Sequence, residues 1–229
     1  LSRHKNSLVA KKLLILFFFF FWSFRGAAQN IHLIDSLREE LTQAEGKKRF
    51  DLLNDLAWEY RSAYPDSTIR LGQKAYELGQ QLKLQIGLAE PLNFIGVAYN
   101  TKGDRLKTYE YYDQALKLSI QQNDSLQKAY SNNNLGRLFY EQGSLLRAYD
   151  YFIEALAMFE NINDSSGLAY TYQSLARLYK SQGDLVKAEN HYLKANKIRI
   201  ALNQTPNLTS AFIQTAKFYQ ENNDHEKAL

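Results

Sequence analysis

The chain has 229 residues, with 28 Lys or Arg against 24 Asp or Glu, and it contains no cysteine. The lack of cysteine excludes disulfides, thiol catalysis and a lipid-modified cysteine at a cleavage site. The first 29 residues hold five basic residues and no acid, so the rest of the chain carries 23 basic against 24 acidic residues, a net charge of −1. The positive balance of the whole chain is therefore no indication of nucleic-acid binding.

The N-terminal residues 1–28 have the layout of a secretory signal peptide. Four basic residues lie within residues 3–12, a dense apolar run follows at 13–24, and small residues occupy 26–28. A membrane-spanning helix needs about 20 residues, so this run of 12 is too short to span a bilayer by itself. We predict cleavage after Ala28 and an exported protein in, or facing, the periplasm. An uncleaved anchor that recruits flanking residues is the alternative.

Beyond this segment the chain is predicted to be all-α. Apolar residues recur at helical spacing, and no stretch shows sustained alternation of apolar and polar residues. We expect an N-terminal capping helix within residues 29–46, ended by Gly46. One face of this helix carries four apolar residues: Ile31, Ile34, Leu37 and Leu41.

A helical array is predicted over residues 47–229. Its first unit begins with a helix whose apolar face includes Leu53, Leu56, Ala57 and Tyr60. Pro65 cannot sit inside a helix, and it marks the turn to the second helix of this unit. Asp66 and Ser67 are expected to cap that second helix, because their side chains can accept hydrogen bonds from free amide groups.

The array repeats with a 40-residue period. A column of small residues comprises Gly96, Gly136, Ala176 and Ala216, and an aromatic column comprises Tyr99, Phe139, Tyr179 and Tyr219. Small residues permit close contact between helices, and we expect the aromatic column to lie in the core. A fixed period in this range predicts a stack of small helical units, which generally serves as a binding surface.

Turn residues keep the same period and delimit the helices. First helices are predicted over residues 87–101, 127–141, 167–181 and 207–221. Their partners are expected to begin after residues that tolerate a left-handed backbone: Gly103, Gly143, Gly183 and Asn223. The Asn-Asp-Ser triplets at 123–125 and 163–165, which are also one period apart, are expected to cap helices.

These residues resemble the motif of tetratricopeptide-repeat proteins, in which a large residue, Leu-Gly and an aromatic residue are followed by Ala, an aromatic residue and Ala. The third unit has Asn132, Leu135, Gly136, Phe139, Ala148, Phe152 and Ala155; the second has Leu92, Ile95, Gly96, Tyr99, Thr108, Tyr112 and Ala115; the fourth has Tyr172, Leu175, Ala176, Tyr179, Ala188, Tyr192 and Ala195. The resemblance implies a right-handed α-solenoid of antiparallel helix pairs, with four full repeats and a truncated fifth over residues 47–229.

Two departures from the family pattern concern the repeat itself. The unit is longer than the about 34 residues of the usual tetratricopeptide repeat. The proline that normally closes each unit is missing. Both departures suit a second helix extended by more than a turn, as in the longer-repeat branch that includes kinesin light chains and bacterial peptide sensors.

The resemblance also implies that the first helices line a concave groove. Two columns on them are candidates for peptide binding: the amides Asn93, Asn133 and Gln173, and the basic residues Arg137, Arg177 and Lys217. The columns are four positions apart and should lie side by side. Amides can bond an extended peptide backbone, and basic residues can pair with carboxylates. The alternative is a solvated face with salt bridges to neighbours such as Glu141 or Glu221.

No pattern in the sequence indicates catalysis. The four histidines lack metal-ligand spacing, and neither a phosphate-binding loop nor a nucleophile motif occurs. We expect no enzyme in this stretch of chain and no cofactor or metal. The expected partner is a protein or peptide, in particular an acidic or C-terminal segment, and not a nucleic acid.

Three wider roles remain open at the level of sequence. The last unit stops one turn into its second helix, which suggests the front of a longer bacterial signalling protein, such as a membrane-bound histidine kinase or a DNA-binding regulator. A membrane would then be contacted only through a C-terminal anchor or an uncleaved signal. The alternatives are a free-standing periplasmic scaffold and an enzyme whose catalytic part lies elsewhere.

Overall fold

The structure is a computed structural model that describes residues 31–203, 205–222, 224 and 226–228, with residues 205–207 in backbone only. Within these ranges the chain forms ten α-helices and no β-strand, as predicted. No helix in the described part of the chain combines the length and the apolar character needed to cross a membrane. The proposed signal peptide at 1–28 and the turn residue Asn223 lie outside the described residues.

The chain divides into two compact units, at residues 1–43 and from Ala44 onward. The first unit contains helix α1, at residues 31–43. Leu37 is buried on this helix, whereas Ile31 is 60% exposed, so the predicted apolar face is covered only in part. The prediction that Gly46 ends this helix is wrong. Gly46 has a φ of +54° and begins the next helix, because a glycine can turn the chain there without steric cost.

The second unit is a row of helices packed in chain order. Its elements are α2 (Gly46–Tyr60), α3 (Pro65–Gln81), α4 (Ala89–Lys102), α5 (Arg105–Gln121), α6 (Ser125–Glu141), α7 (Leu145–Asn161), α8 (Ser165–Ser181), α9 (Leu185–Ala201) and α10 (Thr205–Glu221). Each helix packs on the next, with the broadest contacts within the pairs α2–α3, α4–α5, α6–α7 and α8–α9. The predicted first helices α4, α6, α8 and α10 start within two residues and end within one residue of their expected positions.

The turns between helices follow the 40-residue period. Gly103, Gly143 and Gly183 have φ between +77° and +80°, which confirms their predicted left-handed conformation. Asp124 Oδ1 accepts from the Gln127 amide at 3.0 Å, and Asp164 Oδ1 accepts from Gly167 at 2.7 Å. Both Asn-Asp-Ser triplets therefore cap helices as predicted, and each stops one helix and starts the next.

The turn before α3 differs from the expectation. Pro65 is the first residue of α3, and Tyr64 precedes it as the N-cap without a side-chain hydrogen bond. Asp66 and Ser67 thus lie inside the first turn and do not cap the helix, contrary to the prediction. The Asp66 carboxylate instead accepts from Lys102 Nζ at 2.5 Å, which links α3 to the end of α4.

The small-residue column lies at the contact between paired helices. A Cβ atom added to Gly96 would lie 2.5 Å from the Tyr112 ring, and one added to Gly136 would lie 2.6 Å from the Phe152 ring. Both rings are buried, at 3% and 0% exposed. The glycines therefore allow the aromatic residue of the second helix to rest directly on the backbone of the first.

Three of the four residues of the aromatic column, which was predicted to be core, lie at the rim of the core. Tyr99, Phe139 and Tyr179 are only half-buried, and Tyr219 is 7% exposed. Each ring has a cationic side chain eight positions later over its face, at 4.9–5.6 Å from the centroid: Lys107, Arg147, Lys187 and Lys227. Long cationic side chains can cover a ring while their charge stays in water, so Tyr99, Phe139 and Tyr179 close the core at its edge. Tyr219 is part of the core, as predicted.

Candidate binding surface on the first helices

The first helices form one layer of the second unit. Helix α4 lies against both α2 and α6, and α6 lies against α8. Among the described residues no contact of comparable breadth joins the second helices α3, α5, α7 and α9. Helices that touch must be closer together than helices that do not, so the first helices lie on the inner side of the curve. We call their surface the inner face.

Asn93, predicted to face a peptide, is turned toward the neighbouring first helix. Its side chain is 3% exposed. Its Nδ2 donates to Gln127 Oε1 at 3.2 Å and to Ser131 Oγ at 3.0 Å, while its Oδ1 accepts from Asn134 Nδ2 at 3.2 Å. These bonds satisfy the amide within the junction between α4 and α6.

The same arrangement recurs one repeat later. Asn133 is 4% exposed, and its Oδ1 accepts from the hydroxyls of Thr171 at 3.5 Å and Ser174 at 3.4 Å. Gln173, half-buried, donates to Gln214 on α10. The amide column thus links successive first helices in this structure, and its binding of a peptide stays a prediction.

The basic column is more open. Arg137 is half-buried, whereas Arg177 and Lys217 are exposed. The Arg177 guanidinium lies over the Tyr140 ring, 5.3 Å from its centroid. None of the three forms an ion pair with a carboxylate of the described residues; Glu221 pairs with Lys180 instead. The three positive charges therefore remain available to an acidic group from outside.

A contact between two aromatic rings and an arginine joins α2 to α8 across the inner face. The rings of Trp58 on α2 and Tyr170 on α8 are 6.3 Å apart in an edge-to-face arrangement. The guanidinium of Arg61 stacks on Trp58 at 3.3 Å and lies close enough to the Tyr170 hydroxyl to interact with it electrostatically. Burial lowers the pKa of Arg61, and Tyr170 opposes that effect. We call these three residues the clasp.

A second arginine approaches the clasp from a second helix. Arg199 on α9 is 2% exposed, its guanidinium lies 5.3 Å from the Tyr170 ring centroid, and its Nη2 donates to Gln173. Its Nη1 has no hydrogen-bond partner among protein atoms. Sequence analysis missed this residue, although Ser119 and Phe159 precede it at steps of 40 and a charge in that column is exceptional.

The described residues contain no group of three or more His, Cys, Asp or Glu side chains that could hold a metal ion. His191, the one histidine of the array within the described residues, rests between the rings of Tyr172 and Tyr179, and burial lowers its pKa. Its surroundings are aromatic, and its Nδ1 contacts the Lys187 carbonyl at 2.7 Å.

Comparison with known proteins agrees with this architecture. Residues 87–161 and 128–201, together half of the chain, match the family model of the tetratricopeptide repeat. No curated protein sequence matches the chain. Among solved structures, BtubC (BKLC) from P. vanneervenii is 24% identical, with a TM-score of 0.60 over 88% of this chain and 84% of that one.

Two further similar structures are Rap proteins. A Rap protein complexed with competence and sporulation factor is 18% identical, with a TM-score of 0.68 over 89% of this chain and 68% of that one. The Rap conjugation gene regulator of plasmid pLS20, in complex with the Phr* peptide, is 19% identical, with a TM-score of 0.65 over 77% of this chain and 48% of that one. At these identities the likeness shows a shared helical-repeat fold.

Proposed function

Because this chain belongs to the tetratricopeptide-repeat family, we propose that it is a binding module that holds an acidic protein or peptide segment on its inner face. The observation that supports this proposal most directly is the basic column. Arg137, Arg177 and Lys217 keep the 40-residue period on three first helices and form no ion pair with a described carboxylate. Three such charges along one surface attract an acidic segment and can fix its register.

The ligand is proposed to bind in an extended form. The spacing of equivalent residues on neighbouring first helices is about 8–10 Å, which an extended chain covers in about three residues. One acidic group at every third residue, or a C-terminal carboxylate next to an acidic side chain, therefore matches the column. Similar structures support a peptide ligand, since the Rap conjugation gene regulator was solved with the Phr* peptide.

Export and a role in signalling are part of the proposal. The basic, apolar and small-residue order of residues 1–28 supports cleavage after Ala28 and a location in, or facing, the periplasm. A bound segment would then be presented to a signalling partner, with this array as the sensory or scaffolding part. Reversal of the basic column, combined with a peptide-binding measurement, tests the binding proposal and is developed in the Discussion.

A further inference from the structure

The junction between the first helices α2 and α4 differs from the α4–α6 and α6–α8 junctions. Asn54 on α2 precedes Asn93 by 39 residues, the same step that separates Ala57 from Gly96 and Tyr60 from Tyr99, so it occupies the equivalent position of the first repeat. It is 3% exposed. Its Nδ2 donates to Glu90 Oε2 at 3.3 Å, but its Oδ1 is buried without any hydrogen-bond partner. A buried carbonyl oxygen without a partner has lost its hydrogen bonds to water without replacement, so this atom requires an explanation.

The sequence explains why Asn54 is left without a donor. At the later junctions the amide oxygens accept from Ser131 and Asn134, and from Thr171 and Ser174. The residues at the matching positions of α4 are Pro91 and Phe94, neither of which has a side-chain donor. The first junction therefore leaves the Asn54 oxygen without a donor, whereas the later junctions supply one.

Further carboxylates surround this junction. Asp51 and Asp55 on α2 are exposed and close enough to Glu90 to raise its pKa, as does Asp124 from the start of α6. Lys47 is a nearby cation that lowers the pKa of Glu90, but its Nζ is already paired with Asp51 at 2.7 Å. Burial and these carboxylates together raise the pKa of Glu90 to about 7. Another positive charge beside Glu90 would remove much of the repulsion.

We propose that the first junction, formed by Asn54, Asp55 and Glu90, is a subsite for a cationic nitrogen of the bound peptide, either its N-terminal ammonium or a Lys or Arg side chain. Ammonium and guanidinium groups have donors and no acceptor, so they match a junction that combines an unsatisfied Asn54 oxygen with the carboxylates of Asp55 and Glu90. This inference rests on the proposed function, because it adds a second anchor to the same inner face.

The subsite lies within reach of the basic column. Glu90 is equivalent to Tyr130, which precedes Arg137 by seven positions on α6. This separation corresponds to about 10 Å along the helix axis, and the neighbouring helix adds about 8–10 Å across. The combined distance from Glu90 to Arg137 is about 14 Å. A five-residue extended peptide spans about 17 Å and can therefore reach from one to the other. One short peptide can therefore carry a cation at its start and acids at its end into both sites.

The test compares peptides that differ in the cation. Binding to the full chain is measured by calorimetry at pH 8 for acetyl-Ala-Ala-Ala-Asp-Asp and for Lys-Ala-Ala-Asp-Asp. We expect the cationic peptide to bind about tenfold or more tightly, since hydrogen bonds to a charged group are stronger than those between neutral groups. Acetyl-Lys-Ala-Ala-Asp-Asp and Ala-Ala-Ala-Asp-Asp, which keep only the side-chain or only the terminal cation, identify the source of the charge.

Variants of the protein test whether the higher affinity of the cationic peptide comes from the proposed subsite. In Asp55→Asn/Glu90→Gln the advantage of the cationic peptide should disappear, while the acetylated peptide keeps its affinity. The control Asp150→Asn, an exposed carboxylate on α7, should keep the full advantage. Equal binding of both peptides to the parent would overturn the cation subsite and leave the proposed function intact. A cation advantage without dependence on the basic column would support the subsite and contradict the proposed function, and no binding of either peptide would overturn both.

Discussion

Trp58 and Tyr170 are far apart in the chain, yet their rings meet edge to face with centroids 6.3 Å apart. Trp58 belongs to α2 and Tyr170 to α8, so the contact spans the inner face from the first repeat to the fourth. Only a curved row of helices brings these residues together, because α4 and α6 lie between them in chain order. The clasp therefore links the curvature of the array to its binding surface.

A double-mutant cycle tests this contact. Edge-to-face aromatic pairs contribute about 0.5–1.5 kcal/mol beyond their buried area. Trp58→Ala and Tyr170→Leu should show a coupling energy of that size in urea unfolding. Tyr172 lies on the same helix, but its ring contacts His191, so Trp58→Ala and Tyr172→Leu should be additive. Additive behaviour of the first pair would contradict the clasp.

The seam between α6 and α7 is tested at Gly136. A Leu there would meet the Phe152 ring, since even a Cβ would lie at 2.6 Å. We expect Gly136→Leu to lower the free energy of unfolding by about 1–3 kcal/mol through overpacking. The control Gln114→Leu, at an exposed position of α5, should change the free energy of unfolding by less than about 0.5 kcal/mol. A Gly136→Leu protein that melts like the parent would show that this glycine does not lie in the contact.

The sequence predicted the turns, caps and helix seams but missed side-chain directions and contacts across several repeats, and this difference has a physical basis. Gly136, the turn glycines and the capping Asp124 answer local steric and hydrogen-bonding needs, so their spacing alone identified their roles. The direction of Asn93 depends on how α4 is rotated against α6, which the helical period does not specify. The Trp58–Tyr170 contact depends on curvature summed over several repeats. Arg199 lies on a second helix, outside the columns that the resemblance marked for binding.

The stability of the protein should depend on pH through Glu90. Its pKa in the folded protein is about 7, against an ordinary value of 4.5. The folded state therefore binds more protons than the unfolded state between these values, and stability falls as pH rises through that window. Glu90→Gln removes this loss. We expect the free energy of unfolding of Glu90→Gln, relative to the parent, to rise by about 1–3 kcal/mol between pH 5 and pH 8. Urea unfolding at both values measures it.

The matched control for this pH dependence is Glu110→Gln, which changes an exposed carboxylate on α5. Its stability relative to the parent should differ little between pH 5 and pH 8. If Glu90→Gln behaves in the same way, neither burial nor the neighbouring carboxylates Asp55, Asp51 and Asp124 raise the pKa of Glu90, which would contradict this account.

Export is tested at the N-terminus of the protein from its native host. Cleavage after Ala28 should leave Gln29 as the first residue, which intact-mass and N-terminal peptide mass spectrometry detect directly. An Ala28→Phe variant, which places a large residue at the predicted cleavage site, should accumulate in uncleaved form. Soluble cytoplasmic protein that retains Leu1 would contradict the export proposal.

The most direct test of the binding account is charge reversal of the basic column. Arg137→Glu/Arg177→Glu/Lys217→Glu should lose binding of acetyl-Ala-Ala-Ala-Asp-Asp at concentrations that saturate the parent. Its helical circular dichroism should persist, because Arg177 and Lys217 are exposed and none of the three residues is in an ion pair with a described carboxylate. The control Lys74→Glu/Arg105→Glu/Lys197→Glu makes the same change of charge on the exposed second helices α3, α5 and α9. At about 0.15 M salt, where charges more than about 8 Å apart are screened, this control should bind like the parent. Unchanged affinity in the column variant, with its helices intact, would contradict binding at the inner face.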